Sequence, residues 1–313
     1  MKKFWATVAM LFATVIWGTA FSAQSESTKH VDALLFVALR SFVGTGALCL
    51  VIMLFDFVKE KRLSVWGNAV SRQEKKDLLL GGLFCGIAIT SASFCQQLGI
   101  KYISAGKTGF LTALYILIVP FLGLFLRKKT PVSLYIASCT ALAGTYLLCG
   151  GIDTVGKGEF FVILCAFLYA GHIMVIDHYA VKCDCVRLSC IQFSAATVFS
   201  IIASLLLGEK WHWTGIVSSL PFWLFCGVGS SAIAFTLQIA AQKYLHPVTA
   251  SLIMSLESVF AVMGGYLFLH EKLSVRELCG CTVILFAIIL AQIPWKKRGQ
   301  KSLPDREEAK SNP

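Results

Sequence analysis

Two ionisable side chains sit inside apolar runs that otherwise carry no charge. Glu257 lies ten residues beyond Pro247, roughly 15 Å into a helix that rises about 1.5 Å per residue. Arg40 lies eight residues past Asp32, at the start of another apolar run. An ionisable group at bilayer depth costs roughly 2.5–3.5 kcal/mol on insertion scales, so each needs a reason. Glu257 reads either as a proton-titratable or cation-binding carboxylate, or as a structural carboxylate hydrogen-bonded to neighbouring helices. It shares a helical stripe with Ala250, Met254, Ala261 and Gly264, as Arg40 does with Ala33, Val37, Gly44 and Ala47. Small residues on such stripes suit close helix packing or a cavity wall. Arg40 has three readings: it snorkels to the interface, pairs with Glu257, or holds an anionic group of a substrate.

Weaker candidates surround these two. His172 falls on one face with Tyr169, and serves either a transport path or a hydrogen-bonded core. Asp177 is near enough to the end of its run to be solvated. Gln97 and Gln238 are candidates to hydrogen-bond a polar substrate, with interhelical bonding as the alternative. Trp17, Tyr115 and Tyr169 could line an aromatic-accepting cavity or simply pack. Pro120 removes a backbone hydrogen bond deep in its run, a hinge candidate or a passive kink. The pairs Cys183-x-Cys185 and Cys279-x-Cys281 lack the histidine spacing of a metal site. No P-loop, HExxH, GxSxG or dinucleotide fingerprint is present. The reading is a non-enzyme without metal or cofactor.

The elements that must position these residues are membrane helices. The chain has 313 residues, 57% hydrophobic and 14% charged, against about 25% charged in soluble domains. Runs near the ~20 residues that span a bilayer occur at 4–24, 32–57, 78–99, 104–126, 132–150, 159–178, 188–207, 219–241, 247–269 and 273–294. A hydrophilic stretch at 58–77 interrupts them, and the polar tail 296–313 reads as disordered. With both termini in the cytoplasm, inward segments hold about 20 of the 28 lysines and arginines and outward loops about 7. The net charge of +11 is thereby a topology signal that needs no nucleic-acid partner. Most of the 12 cysteines sit in apolar runs, as small hydrophobes rather than a disulfide framework. Lys2, Lys3 and the run ending Ala20-Phe21-Ser22 also fit a cleavable signal peptide, but the run is long for one.

The chain repeats itself. Leu83-Phe84-Cys85-Gly86 recurs as Leu224-Phe225-Cys226-Gly227, and Phe94 and Gln97 match Phe235 and Gln238 at the same offset. After one inserted residue Tyr102 matches Tyr244, Leu114 matches Leu256 and Gly123 matches Gly265. The first and sixth spans align more weakly, with Trp17 opposite Tyr169 and Asp32 opposite Asp184. The expected domains are 1–150, including the loop 58–77, and 151–295. Five helices each is an odd number, so the second unit enters from the opposite side. The expected fold is an all-α integral membrane protein of ten transmembrane helices in two inverted five-helix repeats. Such repeats support alternating access around a site near the midplane.

The order of motifs resembles a known family. Leu237-Gln238, Ala241-Gln242-Lys243-Tyr244, Pro247, Ala250, Leu256-Glu257 and Glu271-Lys272-Leu273-Ser274 resemble the second half of an EamA-type protein of the drug/metabolite transporter superfamily. Trp17-Gly18-Thr19, Leu39-Arg40, Gln97-Leu98-Gly99 and Ser104-Ala105-Gly106 resemble the first. The family commonly has proline after the glutamate; Ser258 stands there instead, and should leave that helix straighter. The resemblance implies a secondary transporter with a central cavity, often exporting metabolites and often proton-coupled. The expected partners are a small-molecule substrate, the lipid bilayer and protons, in a bacterial cytoplasmic membrane. A passive channel, an accessory membrane subunit and a lipid-modifying membrane enzyme are the alternatives.

Overall fold

A computed structural model describes residues 1–61, 64, 66, 67, 69, 71–126, 131–148, 156–269 and 274–292. The tail 296–313, the basic triplet 127–129 and the motif residues 271–273 lie outside the described residues. The chain opens with α1 (Lys2–Ser27) and α2 (Ala33–Phe55), which runs on into a π-helical turn at Asp56–Glu60. α3 (Arg72–Ile100) begins six residues before the apolar run, because Ser71 and Glu74 form a reciprocal capping box. α4 (Ala105–Thr112), α5 (Tyr115–Phe125) and α6 (Val132–Leu148) follow, then α7 (Lys157–Tyr179) and α8 (Cys185–Leu206). The short α9 (Trp213–Ser218) and α10 (Leu220–Phe225) lead through a π-helical stretch, Cys226–Ala234, into α11 (Phe235–Gln242). α12 (Pro247–Met254), α13 (Leu256–Leu269) and α14 (Val275–Gln292) complete the chain.

No strand occurs among the described residues. Eight helical stretches there are long and apolar enough to cross a membrane, and Val132–Gly144 and Leu278–Leu290 are shorter apolar helices. Large apolar side chains such as Phe57, Phe125 and Leu206 face outward, as a bilayer-facing surface requires and water would not tolerate. α2 lies along α8, α6 along α14, and α3 along α7; α1 packs against α13 and against the stretch from α10 to α11. Each pairing joins an element before residue 150 to one after it. Glycine permits two of the approaches: a Cβ on Gly18 would stand 2.2 Å from that of Phe260, and one on Gly44 2.7 Å from that of Ser231.

Two expected spans are interrupted. The fourth breaks at Ala113–Leu114 and the ninth at Ser255, positions that correspond under the repeat register pairing Leu114 with Leu256. The ninth span, where Ser258 replaces the expected proline, is thus interrupted three residues before that serine. Ser255 Oγ donates to Leu252 O at 2.6 Å and Ser258 Oγ to Ser255 O at 2.7 Å, so hydroxyls take carbonyls that the helix would otherwise use. The Ser258 amide bonds Ser255 O three residues back, tightening that turn. Pro120 sits inside α5, and the fourth span's break lies upstream of it.

The α2–α8 pair is fastened at both ends. At one end Asp56 Oδ1 meets Arg187 Nη2 at 2.5 Å, with side chains only 5% and 11% exposed. The Ser64 amide donates to Asp56 Oδ2 at 3.0 Å, and Arg187 Nη2 also donates to Ser64 O. At the other end the Glu209 carboxylate accepts from the amides of Leu34 and Leu35 at 2.9 and 2.8 Å, and from Ser204 Oγ at 2.8 Å. It thereby satisfies orphan donors at the start of α2.

Candidate functional site

The central cavity lies where α1, α2, α3, α7, α11 and the two interrupted spans meet. It holds Trp17, Arg40, Tyr115, Tyr169 and Glu257 around one space. Gly44 brings α2 close enough to the π-helical stretch for Arg40 Nη2 to donate to Ser230 Oγ at 2.7 Å and Nε to Ser231 Oγ at 3.2 Å. The guanidinium is buried, 3% exposed, which overturns the snorkelling expectation. Among the described residues no carboxylate lies within salt-bridge distance of Arg40, so the pairing with Glu257 does not form here. Two serine hydroxyls hold the cation in place without neutralising it, and the rest of its donor fork remains for other acceptors.

Glu257 begins its first turn just past the break at Ser255 and is 5% exposed. Tyr115 begins its helix just past the break at Ala113–Leu114. The tyrosine hydroxyl donates to Glu257 Oε1 at 2.8 Å. Both interruptions thus deliver a polar side chain to the same point. A helix start carries partial positive charge, which favours a carboxylate there.

The remaining wall is mixed. Gln96 Nε2 donates to Thr112 Oγ1 at 3.2 Å, and Tyr169 lies 3.4 Å from Ser93 Oγ and donates to Gln96 Oε1 at 3.5 Å. Trp17 stacks at a tilt on Phe235, with centroids 4.9 Å apart. Its indole N–H is buried without a hydrogen-bond partner among the described residues. The free space measures about 30 Å³, enough for water-sized molecules but far short of the ~300–1,000 Å³ of ligand pockets.

Three candidates stand away from the cavity wall. His172 bonds Gln192 through Nε2 at 2.9 Å and meets Phe235 edge to face at 5.7 Å. Gln97 Nε2 donates to Gln24 O and Ser27 Oγ, tying α3 to the end of α1. Gln238 Nε2 donates to Gln242 Oε1 at 3.0 Å, and Gln242 Nε2 to Ile173 O. Asp177 is buried at 5% exposed rather than solvated, because α7 continues to Tyr179. Burial pushes the Cys183 thiol, in the turn before α8, up to about 11. Polar residues at the cavity that the sequence reading passed over are Gln24, Gln96, Thr112 and Ser230. The signal for Gln96 was its neighbour: consecutive helical residues point about 100° apart, so only one of the two glutamines can face the space.

Comparison with known proteins settles what this architecture is. The profile of the EamA-like transporter family matches twice, over residues 4–150 and again over 156–292. The chain belongs to the EamA-like transporter family. It is an all-helical membrane transporter whose cargo is a small molecule. An uncharacterized transporter of Archaeoglobus fulgidus is 25% identical over 298 residues, covering 94% of this chain and 87% of the relative. The uncharacterized transporter YoaV of Bacillus subtilis is 23% identical over 301 residues, 93% of this chain and 98% of its own. The threonine/homoserine exporter RhtA of Escherichia coli is 30% identical over 107 residues, 34% of this chain and 35% of that protein. One solved crystal structure shares the fold with a TM-score of 0.73 at 17% identity, covering 92% of this chain and 96% of the other.

Proposed function

We propose that the protein is a secondary active carrier that exports a small zwitterionic or polar metabolite by alternating access, with a proton as coupling ion. The observation that carries this reading is the central cavity. A buried arginine with no carboxylate partner among the described residues and a buried glutamate bonded by a tyrosine hydroxyl face the same space. A substrate with a carboxylate and an ammonium group would satisfy both at once, the carboxylate on the Arg40 fork and the ammonium at Glu257. RhtA, whose name gives it amino-acid cargo of that kind, supports the class through its partial likeness. The small cavity supports alternating access, since admitting such a substrate into about 30 Å³ requires helices to part, and the interruptions at Ala113–Leu114 and Ser255 offer places to bend. In this reading residues 1–150 and 151–295 form two inverted units, both termini face the cytoplasm, and the membrane is a bacterial cytoplasmic one.

The test is flux in liposomes. Purified protein should release preloaded threonine, homoserine or related amino acids faster when an inward proton gradient is imposed. Glu257→Gln should abolish the response to the gradient while leaving counterflow exchange measurable. A gradient response undiminished in that variant would refute the coupling role. A channel would give flux without saturation or counterflow.

A further inference from the structure

A second cavity, of about 710 Å³, lies on the opposite face of α1 from the central one. Thr19, Ser22 and Glu26 line it from α1 at helical spacing, whereas Trp17, Phe21 and Gln24 face the transport cavity. Its other walls are Phe222 and Phe225 of α10 and Phe268 of α13. Phe225 and Phe268 are 42% and 64% exposed, so the groove opens sideways toward lipid rather than along the transport axis.

Three features select its occupant. The walls are mainly aromatic and apolar, suited to a hydrocarbon chain. At the end of the groove Glu26 and Lys29 form an ion pair at 2.7 Å, with side chains 30% and 63% exposed. Exposed pairs of this kind hold each other weakly, so both charges can exchange partners. One helical turn deeper, Ser22 is 4% exposed and its hydroxyl has no hydrogen-bond partner among the described residues. Gly264 of α13 packs over that hydroxyl, where a Cβ would sit 3.2 Å from Ser22 Oγ, so the oxygen is covered by the helix contact and a ligand in the groove reaches it when α1 and α13 part slightly. An orphan hydroxyl in an apolar environment is costly and calls for an acceptor or donor.

We propose that this groove binds a bilayer phospholipid whose headgroup carries a primary ammonium, of the phosphatidylethanolamine class. The ammonium donates to Glu26 and the phosphate accepts from Lys29, replacing their mutual pair with two charge-assisted contacts. The glycerol ester lies about 6 Å deeper, four residues of helix rise, where the Ser22 hydroxyl donates to its carbonyl. One acyl chain runs between Phe222, Phe225 and Phe268. Phosphatidylcholine cannot reproduce the ammonium contact because its nitrogen has no N–H. Phosphatidylglycerol has no cation for Glu26.

Native mass spectrometry of the intact protein, delipidated and then offered an equimolar mixture of these three lipids with identical chains, tests the assignment. The wild type should retain the ethanolamine lipid roughly tenfold over the choline lipid. Glu26→Gln should bring that ratio close to one, Lys29→Gln should lower retention of both lipids several-fold without changing the ratio because both carry the phosphate, and Ser22→Ala should lower retention of the ester lipid to that of its ether analogue, which the change leaves unaffected. Lys29 is exposed, so its variant keeps the fold and the result remains readable should Ser22→Ala fail to fold. Equal retention of ethanolamine and choline lipids by the wild type would overturn the proposal. So would a preference unchanged by Glu26→Gln, retention of both lipids unchanged by Lys29→Gln, or retention of no lipid. The readout is lipid binding, so it stands or falls separately from the carrier reading.

Discussion

Arg40 is held in place by Ser230 and Ser231 through two different nitrogens, which fixes the plane of its guanidinium. Lysine offers a point charge on a flexible stem and cannot reproduce a planar two-point grip. Arg40→Lys should therefore keep the fold but weaken substrate binding by roughly 10- to 100-fold, the loss of about 1.5–3 kcal/mol expected for a hydrogen bond to a charged group. Saturation of counterflow in liposomes measures it, and an unchanged half-saturation concentration would remove Arg40 from the site. Glu257 and Arg40 were legible in the sequence because charge in an apolar run is costly wherever it points. The partners were not: nothing in the sequence says that Tyr115 reaches Glu257 across 142 positions. Gln97 drew notice through its repeat match with Gln238. That match reflects a shared place in the fold, where Gln97 ties down α1 and Gln238 reaches toward α7 through Gln242. Gln96, which faces the cavity, has no such signal.

Helices were legible as runs, and their breaks were not. Length and apolarity mark a span, but an interruption of one or two residues without glycine or proline leaves no trace in hydropathy. Ser255 and Ser258 act through their own carbonyl bonds, a local competition that composition does not report. The π-helical stretch Cys226–Ala234 is equally silent in sequence. The fastenings of α2 to α8 yield a prediction at this scale. Glu209→Gln removes the charge that caps the start of α2, and Asp56→Asn leaves Arg187 with only its longer pair to Asp184, at 3.7 Å, at the other end. Each change should speed amide exchange about tenfold or more at its own end only, consistent with charge-assisted bonds worth roughly 1.5–3 kcal/mol. Hydrogen-exchange mass spectrometry over residues 33–38 and 185–190 reads both. Acceleration at both ends from a single change would show that the two fastenings are not independent.

At the scale of the molecule, α2 and α8 also bring Cys49 and Cys190 together, sulfur to sulfur at 3.6 Å. A membrane-permeant oxidant such as copper phenanthroline should join them, two thiols giving one disulfide, two protons and two electrons taken by the oxidant. Under the carrier reading that bond should suppress flux by an order of magnitude, reversibly with a thiol reductant. Peptide mapping under non-reducing conditions identifies the bond, and full flux in the cross-linked protein would mean that α2 and α8 need not separate. The hydrogen bond between Tyr115 and Glu257 has a consequence of another kind. The register that matches Leu114 with Leu256 makes residues 115 and 257 counterparts. Two separate, identical chains assembled about a two-fold would place the same residue at both positions, each facing its own copy. Two acids there would repel one another, and two tyrosines would leave no carboxylate to bind a cation. Covalent joining of the units lifts that restriction. One copy keeps the acid while the other supplies its donor, and a nearly symmetric protein acquires a single, unshared carboxylate at its centre.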